Sequence, residues 1–140
     1  MKIRLFLISC LVLVLSACGG GSSTSDETRA RENNFVGTQA ITLSNAEISV
    51  AETDNFTLAV DEQVVTVVDE DFNATGTLNA DNRFVVSSPI FSTTSDGVTC
   101  SGSVTYSGQI SGSTTAGTIQ GEFNCSGVVF DVSGEFSAAR

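Results

Sequence analysis

The chain has no histidine, no tryptophan, a single lysine (Lys2), a single proline (Pro89) and a single tyrosine (Tyr106) in 140 residues. Each scarcity removes a class of chemistry. Without histidine, and with its lysine at the extreme N-terminus, the chain cannot assemble Ser/His, Cys/His or Ser/Lys nucleophile activation. A zinc site, which wants about four N or S ligands, has no imidazole to draw on. Cations are few overall: six lysines and arginines stand against sixteen acids. A protein this acidic is repelled by phosphate backbones and anionic lipid surfaces, whose binding rests on basic side chains, so nucleic acid is excluded as a partner. No cofactor is implied. What remains for an enzyme is a carboxylate pair, which needs a cleft holding two acids about 5 to 9 Å apart. The acids here read as turn and outward-facing residues, so the expectation is a non-enzyme.

What is present divides the chain into three segments. Lys2 and Arg4 precede an apolar run from Leu5 to Leu15, the charged and hydrophobic parts of a secretory signal and too short for the roughly 20 residues of a membrane-spanning helix. Then comes Leu15-Ser16-Ala17-Cys18, followed by Gly19-Gly20-Gly21-Ser22-Ser23. This stretch resembles the lipobox of a bacterial lipoprotein. The resemblance implies that residues 1–17 are cleaved, that Cys18 becomes the acylated N-terminus, and that several acyl chains anchor the protein stably without a transmembrane helix. Gly19, in place of aspartate, resembles the pattern that sorts Gram-negative lipoproteins to the outer membrane. Cys10 would leave with the signal. Residues 18–34 are Gly, Ser, Thr and mixed charge with no apolar period, and read as a tether. Without the signal, four arginines against sixteen acids leave a net charge of −12.

Residues 35–140 read as one all-β domain, since Val, Ile, Thr and Phe alternate with polar residues and turn-prone clusters recur about every ten residues. The pattern is sharpest near the C-terminus. A two-residue turn at Gly112-Ser113, glycine first as a type II′ hairpin prefers, sets Tyr106 opposite Ile119, Gly102 opposite Phe123 and Cys100 opposite Cys125. Cys100, Val104, Tyr106, Ile110, Ile119, Phe123 and Cys125 then share one face, and the other face is almost wholly Ser, Thr, Gln, Glu and Asn. A one-residue slip would invert that segregation. In an exported chain the two cysteines form a disulfide, which this register allows. A second turn at Ser126-Gly127 places Val128, Phe130, Val132, Gly134 and Phe136 on the same inner face.

Earlier strands are expected over residues 36–43, 46–50, 56–60, 63–68, 72–78 and 83–90, with turns at Asp61-Glu62, Asp69-Glu70-Asp71, Asp81-Asn82 and Asp96-Gly97, and with Pro89 at a strand end or edge. Eight or nine sequential antiparallel strands predict a meander closing as a small up-and-down barrel, because closure removes exposed edges; a two-sheet sandwich is the alternative. The topology is similar to that of lipocalin-like barrels, but the Gly-x-Trp of that family is absent, Gly37 being followed by Thr38 and Gln39. Asp69-Glu70-Asp71-Phe72-Asn73 opens like a calcium loop, yet Ala74 and Ala80 stand where that loop needs glycine and a bidentate glutamate. The function expected is therefore a monomeric, membrane-anchored envelope domain that is structural or meets a protein partner. The alternative is a module binding a small apolar ligand inside the barrel, its inward glycines making the room.

Overall fold

The computed structural model describes residues 34–140 apart from Asp96; the signal, Cys18 and most of the tether lie outside the described residues. Nine strands follow one another: β1 (Asn34–Ser44), β2 (Ser49–Asp61), β3 (Val64–Val68), β4 (Asn73–Leu78), β5 (Arg83–Ser87), β6 (Phe91–Ser95), β7 (Val98–Ser111), β8 (Thr114–Cys125) and β9 (Val128–Ala139). They make one antiparallel sheet, not two, in the order β5-β4-β3-β2-β1-β9-β8-β7-β6. An added β5–β7 pairing joins its ends into a hydrogen-bonded ring.

β5 and β6 are successive parts of one path along β7. Ser87 pairs with Thr105 and Phe91 with Gly102, so three residues face two and the strand bulges at Ser88, Pro89 and Ile90. Pro89, lacking an N–H, falls where the ladder is already interrupted. Ser88 repairs part of the break: its N–H donates to the Val104 carbonyl and its Oγ accepts from the Val104 N–H.

The C-terminal meander keeps the register read from the sequence, Cys100 through Ser111 against Cys125 through Thr114. Gly112 has a φ of 60°, as a glycine-first turn requires, and Ser126 and Gly127 both have positive φ. Val104, Tyr106, Ile119, Phe123, Val132 and Phe136 are buried. Val128 departs from expectation, being 50% exposed. β9 pairs with β1 only from Asp131 onward, so Val128 and the half-buried Phe130 lie beyond the ring, with β8 as their one paired strand among the described residues.

The larger correction is in β2. Two short strands at 46–50 and 56–60 are in fact one strand of 13 residues, with Ala46 in the preceding turn. There Asn45 Oδ1 accepts from the N–H groups of Glu47 and Ile48. Pairing with β1 over its whole length carries the acidic middle of the segment along in the ladder. Glu52 and Asp54 therefore share the inward pleat of Phe56 and Leu58 and are half-buried, not on a turn or an outward face.

Candidate functional site

The interior is a connected set of aromatic rings. Phe56 meets Tyr106 and Phe136; Phe72 meets Phe91 and Tyr106; Phe84 meets Phe136; Phe91 meets Phe123; Tyr106 meets Phe136, all at centroid separations of 4.9 to 6.2 Å. Offset and edge-on ring pairs at these distances each add about 0.5 to 1.5 kcal/mol beyond their burial. The glycines of the inner face serve this packing. A Cβ on Gly102 would lie 2.0 Å from the Glu122 carbonyl oxygen, and one on Gly108 would strike the tips of Phe136 and Phe84 at 2.6 and 2.8 Å. They are places where backbone or ring closes in.

One polar chain runs through the rings. The Tyr106 hydroxyl donates to Gln39 Oε1 at 2.7 Å, and Gln39 Nε2 donates to Asp69 Oδ2 at 2.8 Å. β1 supplies Gln39 in phase with Phe35, Ile41 and Leu43, and both Gln39 and Tyr106 are all but fully buried. Asp69 comes from the turn between β3 and β4, whose Asp69 N–H donates to the Phe72 carbonyl while Asp69 Oδ1 accepts from the Asp71 N–H. Burial first, then the charge of Asp69, then that of Asp54 push the Tyr106 hydroxyl far above its ordinary pKa, only partly offset by the bond to Gln39. Tyr106 is thus a neutral donor at any physiological pH. The chain orients and ties together three distant segments.

Sequence reasoning missed Gln39 and the inward acids. The available signal was a polar residue in phase with apolar neighbours, Gln39 between Phe35 and Ile41, and Glu52 and Asp54 in phase with Phe56 and Leu58. Cys100 and Cys125 are bonded, with Cα atoms 4.0 Å apart, joining β7 to β8 at the end remote from the Gly112 turn. Cys18 lies outside the described residues. No group of three or more Cys, Asp or Glu side chains among the described residues is arranged to hold a metal ion. An open groove of about 800 Å³ between β4, β5 and β7 is lined by Gly76, Thr77, Asn79, Arg83, Phe84 and Gln109 among others.

No family model matches this chain, and no curated protein matches it. Among solved structures it is similar to the ywiB protein of Bacillus subtilis at 7% sequence identity, with 83% of this chain and 99% of that chain covered and a TM-score of 0.38.

Proposed function

We infer that the protein is a lipid-anchored lipoprotein of the Gram-negative outer membrane, acting as a monomer whose β domain meets a protein partner through its outer surface and carries out no catalysis. The observation that carries the second half is the occupied interior. Seven rings linked pairwise, with glycines set against backbone, support a packed interior over one that holds a small apolar ligand. The first half is supported by Leu15-Ser16-Ala17-Cys18 and by where the tether joins the domain. β1 begins at the ring end that also holds Ala139 and the turns at Glu62, Asn82 and Gly112. A Gly/Ser-rich tether of about 16 residues would span roughly 20 Å, enough to hold that end clear of the headgroups.

Mass spectrometry of protein made in a Gram-negative host tests the anchor. The first mature residue should be acylated Cys18, and Cys18→Ser should release the protein from the membrane fraction. An unmodified N-terminus elsewhere contradicts the anchor. Native mass spectrometry of the same preparation tests the filled interior: a stoichiometric apolar small molecule retained by the folded protein would overturn it.

A further inference from the structure

The two cations among the described residues, Arg83 and Arg140, are placed differently. Arg140 lies over the Phe35 ring at 5.0 Å and donates to the Gly112 carbonyl at 3.2 Å. Arg83, at the start of β5, is exposed and makes no ion pair among the described residues. It lines the groove of about 800 Å³ between β4, β5 and β7, and none of the described residues lining that groove is an acid. In a chain of sixteen acids and six basic residues, the groove is a local reversal of sign. Its volume falls in the range of small-molecule sites, roughly 300 to 1,000 Å³.

Hydrogen bonds hold the polar groups around Arg83 in one arrangement. Asn79 Oδ1 accepts from the N–H groups of Asp81 at 3.0 Å and Arg83 at 2.9 Å, and the Asn79 N–H donates to the Arg83 carbonyl at 2.9 Å, so the turn clamps the arginine backbone on both sides. With Oδ1 so used, Asn79 keeps Nδ2 as a donor. Gln109, the β7 residue paired with Arg83, gives Nε2 to the Asp81 carbonyl at 3.3 Å and keeps Oε1 as an acceptor. Thr77 and Ser107 stand on either side of Val85 in the lining, adding two hydroxyls that can both donate and accept. Val85 between them is 58% exposed and supplies an apolar contact.

A guanidinium takes a carboxylate or a phosphate through paired N–H···O bonds, and the surrounding field chooses between them. A phosphate monoester carries nearly two negative charges at neutral pH and is repelled by this acidic domain about twice as strongly as a carboxylate. Beyond the charged group, a ligand meets an amide donor, an amide acceptor and two hydroxyls, the complement of sugar hydroxyls and not of a hydrocarbon tail. We propose that the groove between β4, β5 and β7 binds a hydroxylated carboxylate of the class of a hexuronate, its carboxylate on Arg83 and its hydroxyls on Asn79, Gln109, Thr77 and Ser107. This goes beyond the anchor and partner reading and depends on neither.

Backbone amide NMR of the full-length protein tests the site, with sodium glucuronate as probe at fixed ionic strength, and with glucose and acetate as controls that each carry half of its chemistry. Glucuronate should shift the amides of Thr77, Arg83, Ser107 and Gln109 along a saturating curve and leave those of β9 in place. Glucose and acetate should each bind about tenfold more weakly or worse, one lacking the charge-assisted pair and the other the hydroxyl contacts. Arg83→Gln should weaken glucuronate binding by about tenfold, and Arg83→Lys, a point charge without the planar fork, should fall between. Unchanged amide positions in β8 and β9 show that either variant folds. No saturating shift with glucuronate discards the proposal, as does undiminished binding to Arg83→Gln. Acetate binding as tightly as glucuronate discards it too, because the site is then an exposed cation only, and glucose binding as tightly discards it because Arg83 then plays no part.

Discussion

The two sides of the ring are built from strands of different character. On the side of β7, β8 and β9 the strands run 14, 12 and 12 residues, pair almost end to end, and carry a disulfide and two glycine turns. On the side of β3, β4 and β5 they run 5, 6 and 5 residues, and β4 meets β5 through only two residue pairs. The first side is held mainly by its own ladder. The second depends on what reaches it from inside: Phe72 and Phe84 in the ring cluster, and Asp69 through Gln39 to Tyr106. Stability of the short side is thus borrowed across the interior from the long one, and substitutions at the crossing points should be felt on both.

The largest loss is expected where a crossing ring disappears. Phe123, fully buried and edge-on to Phe91, should cost about 3 to 5 kcal/mol as Phe123→Ala in a denaturant melt, whereas Phe130→Ala, half-buried beyond the ring, should cost about half as much or less. Equal losses would mean that the end of the long hairpin is packed as tightly as the ring. Removing the disulfide, as Cys100→Ala with Cys125→Ala, should cost at most about 3.5 kcal/mol by loop entropy, and less because the hairpin is already local. Thermal melts should show the loss with β7–β8 pairing retained. Tyr106→Phe should cost about 1 to 3 kcal/mol, since Gln39 Oε1 stays buried with its donor gone. Hydrogen exchange should then report loosening near residues 69–72 before any in β8. At the other extreme Glu122→Ala and Asp131→Ala, exposed on the long side, should change stability by no more than about 0.5 kcal/mol.

The same contrast governs what could be read from the sequence. On the long side inward Val104, Tyr106, Ile119 and Phe123 alternate with Ser, Thr and Gln, and glycine turns fix the phase, so one register satisfies hairpin geometry, burial and cysteine pairing together. On β2 the inner pleat reads Val50, Glu52, Asp54, Phe56, Leu58, and two acids in the middle of a strand look like a turn. Their place in the ladder is set by β1, a tertiary partner that local pattern does not contain. Gln39 was hidden for the same reason: its partners Tyr106 and Asp69 are 67 and 30 residues away. The bulge after Ser87 was legible only as a single proline, because the shift of register it allows depends on β7. The inward glycines could have meant either space or close approach, and only the positions of neighbouring strands separate the two.

The meeting of the two sides at Tyr106 has a direct optical reporter, because the chain has one tyrosine and phenolate absorbance belongs to it alone. Burial beside Asp69 and Asp54 raises the Tyr106 pKa in the folded state above the unfolded value of about 10. The unfolded chain therefore sheds a proton that the folded chain keeps. The stabilisation is complete below the ordinary tyrosine range and is lost above it, by up to about 1.4 kcal/mol per pH unit. In an alkaline titration followed by absorbance and circular dichroism together, phenolate should stay absent through the ordinary range and appear only as the β signal collapses, in one coincident transition. A phenolate signal near pH 10 with the sheet intact would place Tyr106 in water and contradict the packed interior on which the account rests.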